Sequence, residues 1–276
     1  MIKHKKLLID QDCPMCQAYG SAFTKYRLID SATVTPYQTA HPNFTAAIDM
    51  DRAKNEIALY CTKTNKTKYG IDAMIEIVSQ PKGIFRKILS TKPAHSGLIV
   101  LYRFVSFNRK VIAPAATIPN LRSCTPSVNL LYNWSFILFC ALITGYILNH
   151  FALQINRTFA MNHDPWSIYL ICFGQIIWQS VAVLMVNRKK YLAYLGNMST
   201  VSLSGGLLLA PALIIFHILN LPIAYLLIAF TMVIGLMLIE HIRRCRLIGL
   251  PFFVSISWIL YRVAVLTVLI YLNLPL

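Results

Sequence analysis

The sequence predicts an α/β domain at the N-terminus followed by an all-α bundle of about five membrane-spanning helices. Three observations carry this expectation. The 276 residues are 57% hydrophobic and only 13% charged, too apolar a composition for a pair of soluble domains. The polar content is uneven: 18 of the 26 Lys and Arg and 8 of the 10 Asp and Glu precede Val128, which leaves the first part at about +10, like an ordinary basic soluble domain. After it come apolar runs of the length a bilayer requires, about 20 residues at ~1.5 Å rise for a hydrocarbon core ~30 Å thick.

In the first part, expected to span residues 1–112, Lys5 to Asp10 reads as a short buried strand. It runs into Asp10-Gln11-Asp12-Cys13-Pro14-Met15-Cys16, after which Gln17 to Leu28 has helix-compatible composition. Pro14 suits the first helical position, where its missing N–H costs nothing, so Cys13 is expected at the N-cap. There it would face the unpaired amides and positive end of the helix, which favour thiolate over thiol. Cys16, one turn further in, would be more shielded. Thiol exchange uses this division, with an accessible thiolate that attacks and a second thiol that resolves the mixed disulfide. Asp12 beside Cys13 opposes the effect, and Lys5 and Lys6 would offset it if they lie near.

A strand is expected around Thr33 to Tyr37 and a helix near Thr45 to Lys54. Glu56 to Thr62 alternates, and the turn Lys63-Thr64-Asn65-Lys66 leads to a second short strand ending at Tyr69, which together make a hairpin. Ile71 to Val78 and Leu98 to Phe107 carry apolar residues at helical spacing. Strand, C-x-x-C, helix, strand, helix, hairpin, helix is a thioredoxin-like order. No proline stands just before the Glu56 strand, where many thioredoxin-like proteins place a cis-proline.

Three motifs in sequence carry a resemblance. Asp10-Gln11-Asp12-Cys13-Pro14-Met15-Cys16, then Tyr69-Gly70-Ile71-Asp72-Ala73, then Tyr102 ahead of Asn108-Arg109 resembles the DCC family of predicted thiol-disulfide oxidoreductases, over about residues 7–111. The family is named for its Asp-x-x-Cys-x-x-Cys motif. The resemblance implies a thioredoxin-like fold and a redox role for Cys13 and Cys16. It also puts Asp10, Gly70, Asp72, Ala73, Tyr102, Asn108 and Arg109 at the family's motif positions. Gln11 stands where the family usually has Gly, and a turn needing φ > 0 would be strained there. The other reading of C-x-x-C is a zinc pair, but a structural site takes four ligands. The sequence has no second C-x-x-C and no H-x-x-x-H, only the isolated Cys61 and His41. The expectation is therefore no metal and no cofactor beyond the dithiol itself, which a cytoplasmic setting would keep mostly reduced.

Pro114, Pro119 and Pro126 with nearby Ser, Thr and Asn make residues 113–128 an irregular linker, which also holds Cys124. Residues 129–276 form the helical part. Its expected spans are Leu130 to His150, Trp166 to Val186, Ser199 to Ile218, Pro222 to Ile239 and Leu250 to Leu272, and of these only the last has a charge inside, Arg262. The third is diluted by Ser202, Ser204, Gly205, Gly206 and Pro211, small and kinking residues that membrane helices tolerate and that let neighbouring backbones approach. Arg188, Lys189 and Lys190 follow the second span and Arg243, Arg244 and Arg246 the fourth, whereas the other two loops hold only Arg157. By the positive-inside rule the N-terminal domain is cytoplasmic and Leu276 outside. The short run Leu7-Leu8-Ile9 after the basic start is not a cleavable signal.

Polar groups within the bilayer are the usual place to look for transport or electron-transfer chemistry. Gln175 and Gln179 share a helix face, which helix-to-helix hydrogen bonding explains. Arg262 could bind a quinone, a lipid head group or an anion, pair with Glu240, or snorkel to the interface. Cys140 and Cys172 are single residues on different spans, so no thiol relay through the bilayer is expected. The spans lack the regularly spaced histidines of a haem site, the first part lacks a phosphate-binding Gly-rich loop, and nothing argues for nucleic acid, since a charge of about +10 beside a membrane is as readily explained by anionic lipid. The expected partners are the lipid bilayer and an unknown protein or small-molecule thiol or disulfide. Two functions follow as expectations. The first is a membrane-anchored thiol-disulfide oxidoreductase in which Cys13 attacks and Cys16 resolves. The alternative is a transporter or membrane assembly subunit whose N-terminal domain senses redox state or docks.

Overall fold

Alternation decides the N-terminal sheet. In a computed structural model that describes residues 4–40, 46, 48–79, 87–115, 126–159 and 164–271, strand β1 (Lys5–Ile9) buries Leu7 and Leu8 on opposite faces. β1 pairs in parallel with β2 (Val34–Pro36) and antiparallel with β3 (Ala58–Cys61), which pairs antiparallel with β4 (Lys66–Tyr69), giving the order β2-β1-β3-β4. Leu7 lies opposite both Val34 and Leu59. Asn65 in the hairpin turn takes a left-handed φ of 53°, which Asn tolerates.

Helix α1 (Pro14–Lys25) and helix α3 (Gly70–Val78) cover the Leu7 face, where Leu7, Phe23, Leu59, Ala73 and Ile77 form one core. The Leu8 face is closed by Tyr37, Ala40, Ile48, Ala58 and Ala53, the last from the single-turn helix α2 (Met50–Ala53). The helix expected near Thr45 to Lys54 is thus one turn, capped by the Asp49 carboxylate, which accepts from the Arg52 amide at 3.0 Å. Helix α4 runs over Lys92–Ile112, well beyond the expected Leu98 to Phe107, because Pro93 in its first turn supplies a start the apolar spacing does not mark.

Contacts divide the chain into two compact units, Met1–Asn133 and Trp134–Leu276. The division falls past the linker expected to end at residue 128, since the first unit takes in the opening turn of helix α5 (Leu130–Thr158). The Asn108 amide donates to the Tyr132 carbonyl at 3.0 Å, the Asn133 amide donates back to Asn108 Oδ1 at 3.0 Å, and Phe107 stacks on Tyr132. Cys124, His41 and the C-terminal Leu276 lie outside the described residues.

The second unit continues with helices α6 (Pro165–Val186), α7 (Tyr191–Leu219), α8 (Ile223–Leu247) and α9 (Phe253–Tyr271). Four helices, the α5, α6, α7 and α8 segments, are long and apolar enough to cross a membrane. The fifth expected span is present as α9, an apolar helix that is shorter than those four. Large apolar side chains such as Leu170, Ile177, Met185, Met232, Ile239 and Leu266 point outward, the reverse of a soluble domain and the pattern that lipid contact requires. Inside, Ile137, Val183, Tyr194, Met198, Val254 and Trp258 join all of these helices except α8, which enters through Cys245. Gly206 lets α7 approach the α5 backbone at Thr144, and Gly205 makes room for Met237 of α8.

Gly70, at φ +56°, has space only for hydrogen: a Cβ there would sit 3.0 Å from Glu56 Oε2 and 3.2 Å from Tyr102 Cε1. Gly70→Ala is expected to destabilise the first unit by about 1–2 kcal/mol, the cost of a left-handed L-residue. Faster hydrogen exchange at the β3 and β4 amides of the full chain, with the α5–α8 amides unchanged, is the outcome to look for.

Candidate functional site

The site is built where β1 ends. The Asp10 side chain, 2% exposed, accepts from the Asp12 amide at 3.0 Å and from the Gln38 side-chain amide at 2.6 Å, while its carbonyl accepts from the Cys13 amide at 3.3 Å. Gln38 completes the link by accepting from the Gln11 amide at 3.2 Å and donating to Asp12 Oδ2 at 3.4 Å. The turn carrying the dithiol is therefore clamped by a buried carboxylate and a buried amide. Gln11 does not take a positive φ, so the strain expected at the departure from Gly is absent.

Cys13 is the N-cap of α1 and Pro14 its first residue, as the spacing predicts. The amides of Met15 and Cys16 face the Cys13 sulfur and favour thiolate, although neither closes a side-chain capping hydrogen bond. The largest influence is the Cys16 thiol, which donates to Cys13 and holds its pKa down at about 6 against the opposing effect of burial; the Arg109 charge pulls the same way. That same hydrogen bond pushes the Cys16 thiol up, and burial adds to it. Cys13 and Cys16 are thus an unequal pair: one sulfur is poised to ionise and the other holds its proton.

The expected difference in access is not found. Cys13 is 2% exposed and Cys16 is 4%, so both are buried. An apolar cavity of about 210 Å³ reaches Cys16 rather than Cys13, with Ile57, Met74, Leu98, Tyr102 and Arg109 among its walls. The supporting charge also differs from expectation. It is Arg109, from the last turn of α4, whereas Lys5 forms an ion pair with Glu76 of α3.

Three of the motif positions, Gly70, Tyr102 and Arg109, converge on one stretch of backbone. The Gly70 amide donates to the Ile57 carbonyl at 2.9 Å and the Ile57 amide donates to the Tyr102 hydroxyl at 2.9 Å. Arg109 donates to the carbonyls of Lys54 at 2.5 Å and Asn55 at 3.4 Å, and the Ser106 hydroxyl also donates to Asn55. Burial drives the Tyr102 phenol up, so it stays neutral and keeps a proton. Asp72 lies elsewhere, paired at 2.8 Å with His95 beside a polar pocket that also contains Lys68 and Glu76. Asn108 serves the start of α5, not the dithiol. Ala73, 0% exposed, is core.

Gln38, Ile57 and Ser106 were not foreseen, because Gln38 and Ser106 lie in no motif and Ile57 takes part through its backbone alone. Among the described residues no group of three or more His, Cys, Asp and Glu side chains is placed to hold a metal, no peptide bond is cis, and the six cysteines are free thiols. Cys140 is buried, as a packing residue is, whereas Cys245, also buried, lies 3.8 Å from His241 Nδ1.

Replacing Arg109 by Gln removes the charge that favours both thiolates. Cys13 should then ionise at higher pH, and its alkylation at pH 6 to 7, followed by mass spectrometry on the full chain, should slow. An unchanged rate profile would show that Arg109 has no electrostatic hold on the pair.

No protein-family model, no curated protein and no solved structure matches the chain.

Proposed function

We propose that the chain is a membrane-anchored thiol-disulfide oxidoreductase of the DCC type, with Cys13 as the attacking sulfur and Cys16 as the resolving one. The observation that carries this reading is the inequality of the two sulfurs at the N-terminus of α1, with the Cys13 thiol brought down to about 6. A thiol of ordinary pKa, about 8.5, is only a few per cent ionised at neutral pH, whereas this one would be mostly thiolate. The parallel β1–β2 pair, the antiparallel β3–β4 pair and the order β2-β1-β3-β4 favour a thioredoxin-like fold for this part of the chain.

In the forward direction the Cys13 thiolate attacks one sulfur of a partner disulfide, forming a mixed disulfide and releasing the other sulfur as a thiolate, which takes up a proton. Cys16 then gives up its proton and attacks the Cys13 sulfur. The second partner thiolate leaves, and the Cys13–Cys16 disulfide forms. The partner gains two electrons and the dithiol loses them, so turnover needs a small thiol or a protein dithiol to reduce the pair again. The cavity beside Cys16, about 210 Å³, is smaller than the roughly 300 Å³ at which cofactor-sized pockets begin, and suits a side-chain-sized thiol. Because Cys13 is buried, exchange on this reading requires the partner to displace what covers the sulfur.

A second reading, in which the helical unit does the work and the first unit senses or docks, is favoured by the buried polar side chains of α6, α8 and α9. The two readings separate on Cys13→Ser, which abolishes function under the first and spares it under the second.

The Arg188–Lys190 turn and the end of α8 meet through Lys190, whose ammonium donates to the Gly249 carbonyl at 2.8 Å. Both basic loops therefore share one end of the helical unit, and we assign that end and the dithiol to the cytoplasm. Reporter fusions after Lys189 and after Asn220 should read cytoplasmic and external respectively; the reverse pattern overturns the orientation.

Two measurements test the chemistry. Cys16→Ser should accumulate a covalent partner on Cys13 that dithiothreitol releases. The alkylation rate of Cys13 in the full chain should rise through pH 6 and level off by pH 7 to 8, because ionisation of a thiol with a lowered pKa is complete there. A rate still climbing at pH 8.5, with no trapped partner, would sink the oxidoreductase reading.

A further inference from the structure

Side chains on α6, α7, α8 and α9 form a buried polar chain in the helical unit. The Tyr194 hydroxyl donates to Gln179 Oε1 at 2.8 Å and lies 3.1 Å from His241 Nε2. Its single proton is spent on Gln179, so His241 must carry a proton on Nε2 and donate to Tyr194. The other ring nitrogen, Nδ1, then accepts, and the Cys245 sulfur lies 3.8 Å from it. His241 stacks on the Trp258 indole with centroids 5.1 Å apart, and the Arg262 guanidinium sits over the same indole, 3.9 Å from its centroid. Gln179, Tyr194, His241 and Trp258 are each at most 1% exposed.

From His241 through Tyr194 to Gln179 the bonds are donated in one direction, and Gln179 ends the run with an N–H that nothing among the described residues receives. Gln179 Nε2, Trp258 Nε1 and Arg262 Nε are buried and have no hydrogen-bond partner among the described residues. All three are N–H groups. Leaving each buried N–H unmade costs about 1–3 kcal/mol, and more for the Nε–H of the charged Arg262, whose side chain is only partly buried.

Charge narrows what could fill the need. The ionisable side chains around Arg262 are Cys172, Tyr194, Tyr261 and His241, none of them a carboxylate. The helical unit has only two acidic residues. Glu240 is held by Arg243 at 2.6 Å and Arg244 at 2.7 Å, so of the alternatives open to Arg262 a pair with Glu240 is not the main contact of this carboxylate. Asp164 caps α6 by accepting from the Trp166 and Ser167 amides. The indole face offers Arg262 a cation–π contact but no acceptor.

We infer that Gln179, Trp258 and Arg262 form a binding site for the anionic head of an amphiphile, a carboxylate or a phosphate ester. Its oxygens take the three free N–H groups and its charge balances Arg262. Gln179, Tyr194, His241 and Trp258 all lie within about two turns of a helix end, at the end of the unit that carries Arg188–Lys190 and Arg246. An amphiphile could therefore enter from that basic surface with its alkyl chain against the outward apolar side chains.

The test uses the purified full chain in an uncharged detergent, with thermal unfolding of the helical unit followed against oleate, oleoyl phosphate and methyl oleate. Oleate or oleoyl phosphate should raise the unfolding temperature saturably and methyl oleate should not; whichever anion saturates at the lower concentration names the head group. Arg262→Gln should weaken the response about tenfold or more, as loss of a charge-assisted hydrogen bond does. Gln179→Leu and Trp258→Phe should weaken it less, and Arg188→Gln with Lys189→Gln should leave it in place. Equal stabilisation by methyl oleate overturns the inference. So does a response that survives Arg262→Gln but not the Arg188 and Lys189 changes, or saturable stabilisation by an uncharged short-chain benzoquinone alone. Should Arg262→Gln fail to accumulate, the ester comparison on the unaltered chain and the Gln179→Leu response decide.

Discussion

The backbone at Ile57 is the constraint on which the first unit depends. Its carbonyl is held by Gly70 and its amide by Tyr102, and the carbonyls just before it are held by Arg109 and Ser106. This stretch lies just before β3, outside the sheet and at least partly buried, so its polar groups need partners that are not strands. α3 and α4 supply them, and Arg109, fixed for that purpose, brings its charge to the two thiols. The electrostatics of the dithiol are in this sense a by-product of satisfying a buried turn. Tyr102 acts on the same stretch and touches the same cavity, which explains why residues far apart in sequence have one effect.

In the helical unit the governing problem is the opposite one. The bilayer supplies no hydrogen bonds, so each internal polar side chain must find a partner within the bundle. Most do so locally: Thr200 and Thr231 donate to carbonyls four residues back, and Glu240 is shared by two arginines on its own helix. Others do so between helices, as Arg244 does on Asn197 Oδ1 and Trp178 on Ser257 Oγ; the group around Tyr194 also runs between helices but leaves the Gln179, Trp258 and Arg262 donors over.

Legibility in the sequence followed whether a signal was local. Cys13 at the N-cap could be read because Pro14 marks the first helical residue, and the hairpin because Asn65 sits in a polar turn between alternating runs. Gly70 could be placed by its motif, but its reason, the Glu56 and Tyr102 side chains pressed against it, is a three-dimensional fact. The burial of Cys13 was missed because an N-cap says nothing of what lies above it, and Gln38 was missed because its partner Asp10 is 28 residues away. Span ends erred in both directions: the fifth, expected from Leu250, starts only at Phe253, while others run on. Asn149 and His150 looked like the end of the first span, yet α5 runs on to Thr158 with Phe151 and Ile155 in a core. Glu240 looked like the end of the fourth, yet α8 continues to Leu247 because its charges pair at helical spacing. Hydropathy reports where a helix leaves the apolar layer; hydrogen bonding decides where it stops.

Asn108 has a bearing on how the chain is made. It is 2% exposed and its amide bonds beyond its own helix go to Tyr132 and Asn133, which belong to the opening turn of α5. During synthesis from the N-terminus, every strand of the sheet and both sulfurs have emerged before these two residues exist. The first unit can therefore assemble early but closes its last buried hydrogen bonds only as the leading edge of the first span leaves the ribosome. Completion of the thiol-bearing unit and commitment of that span to the membrane fall at nearly the same moment of translation.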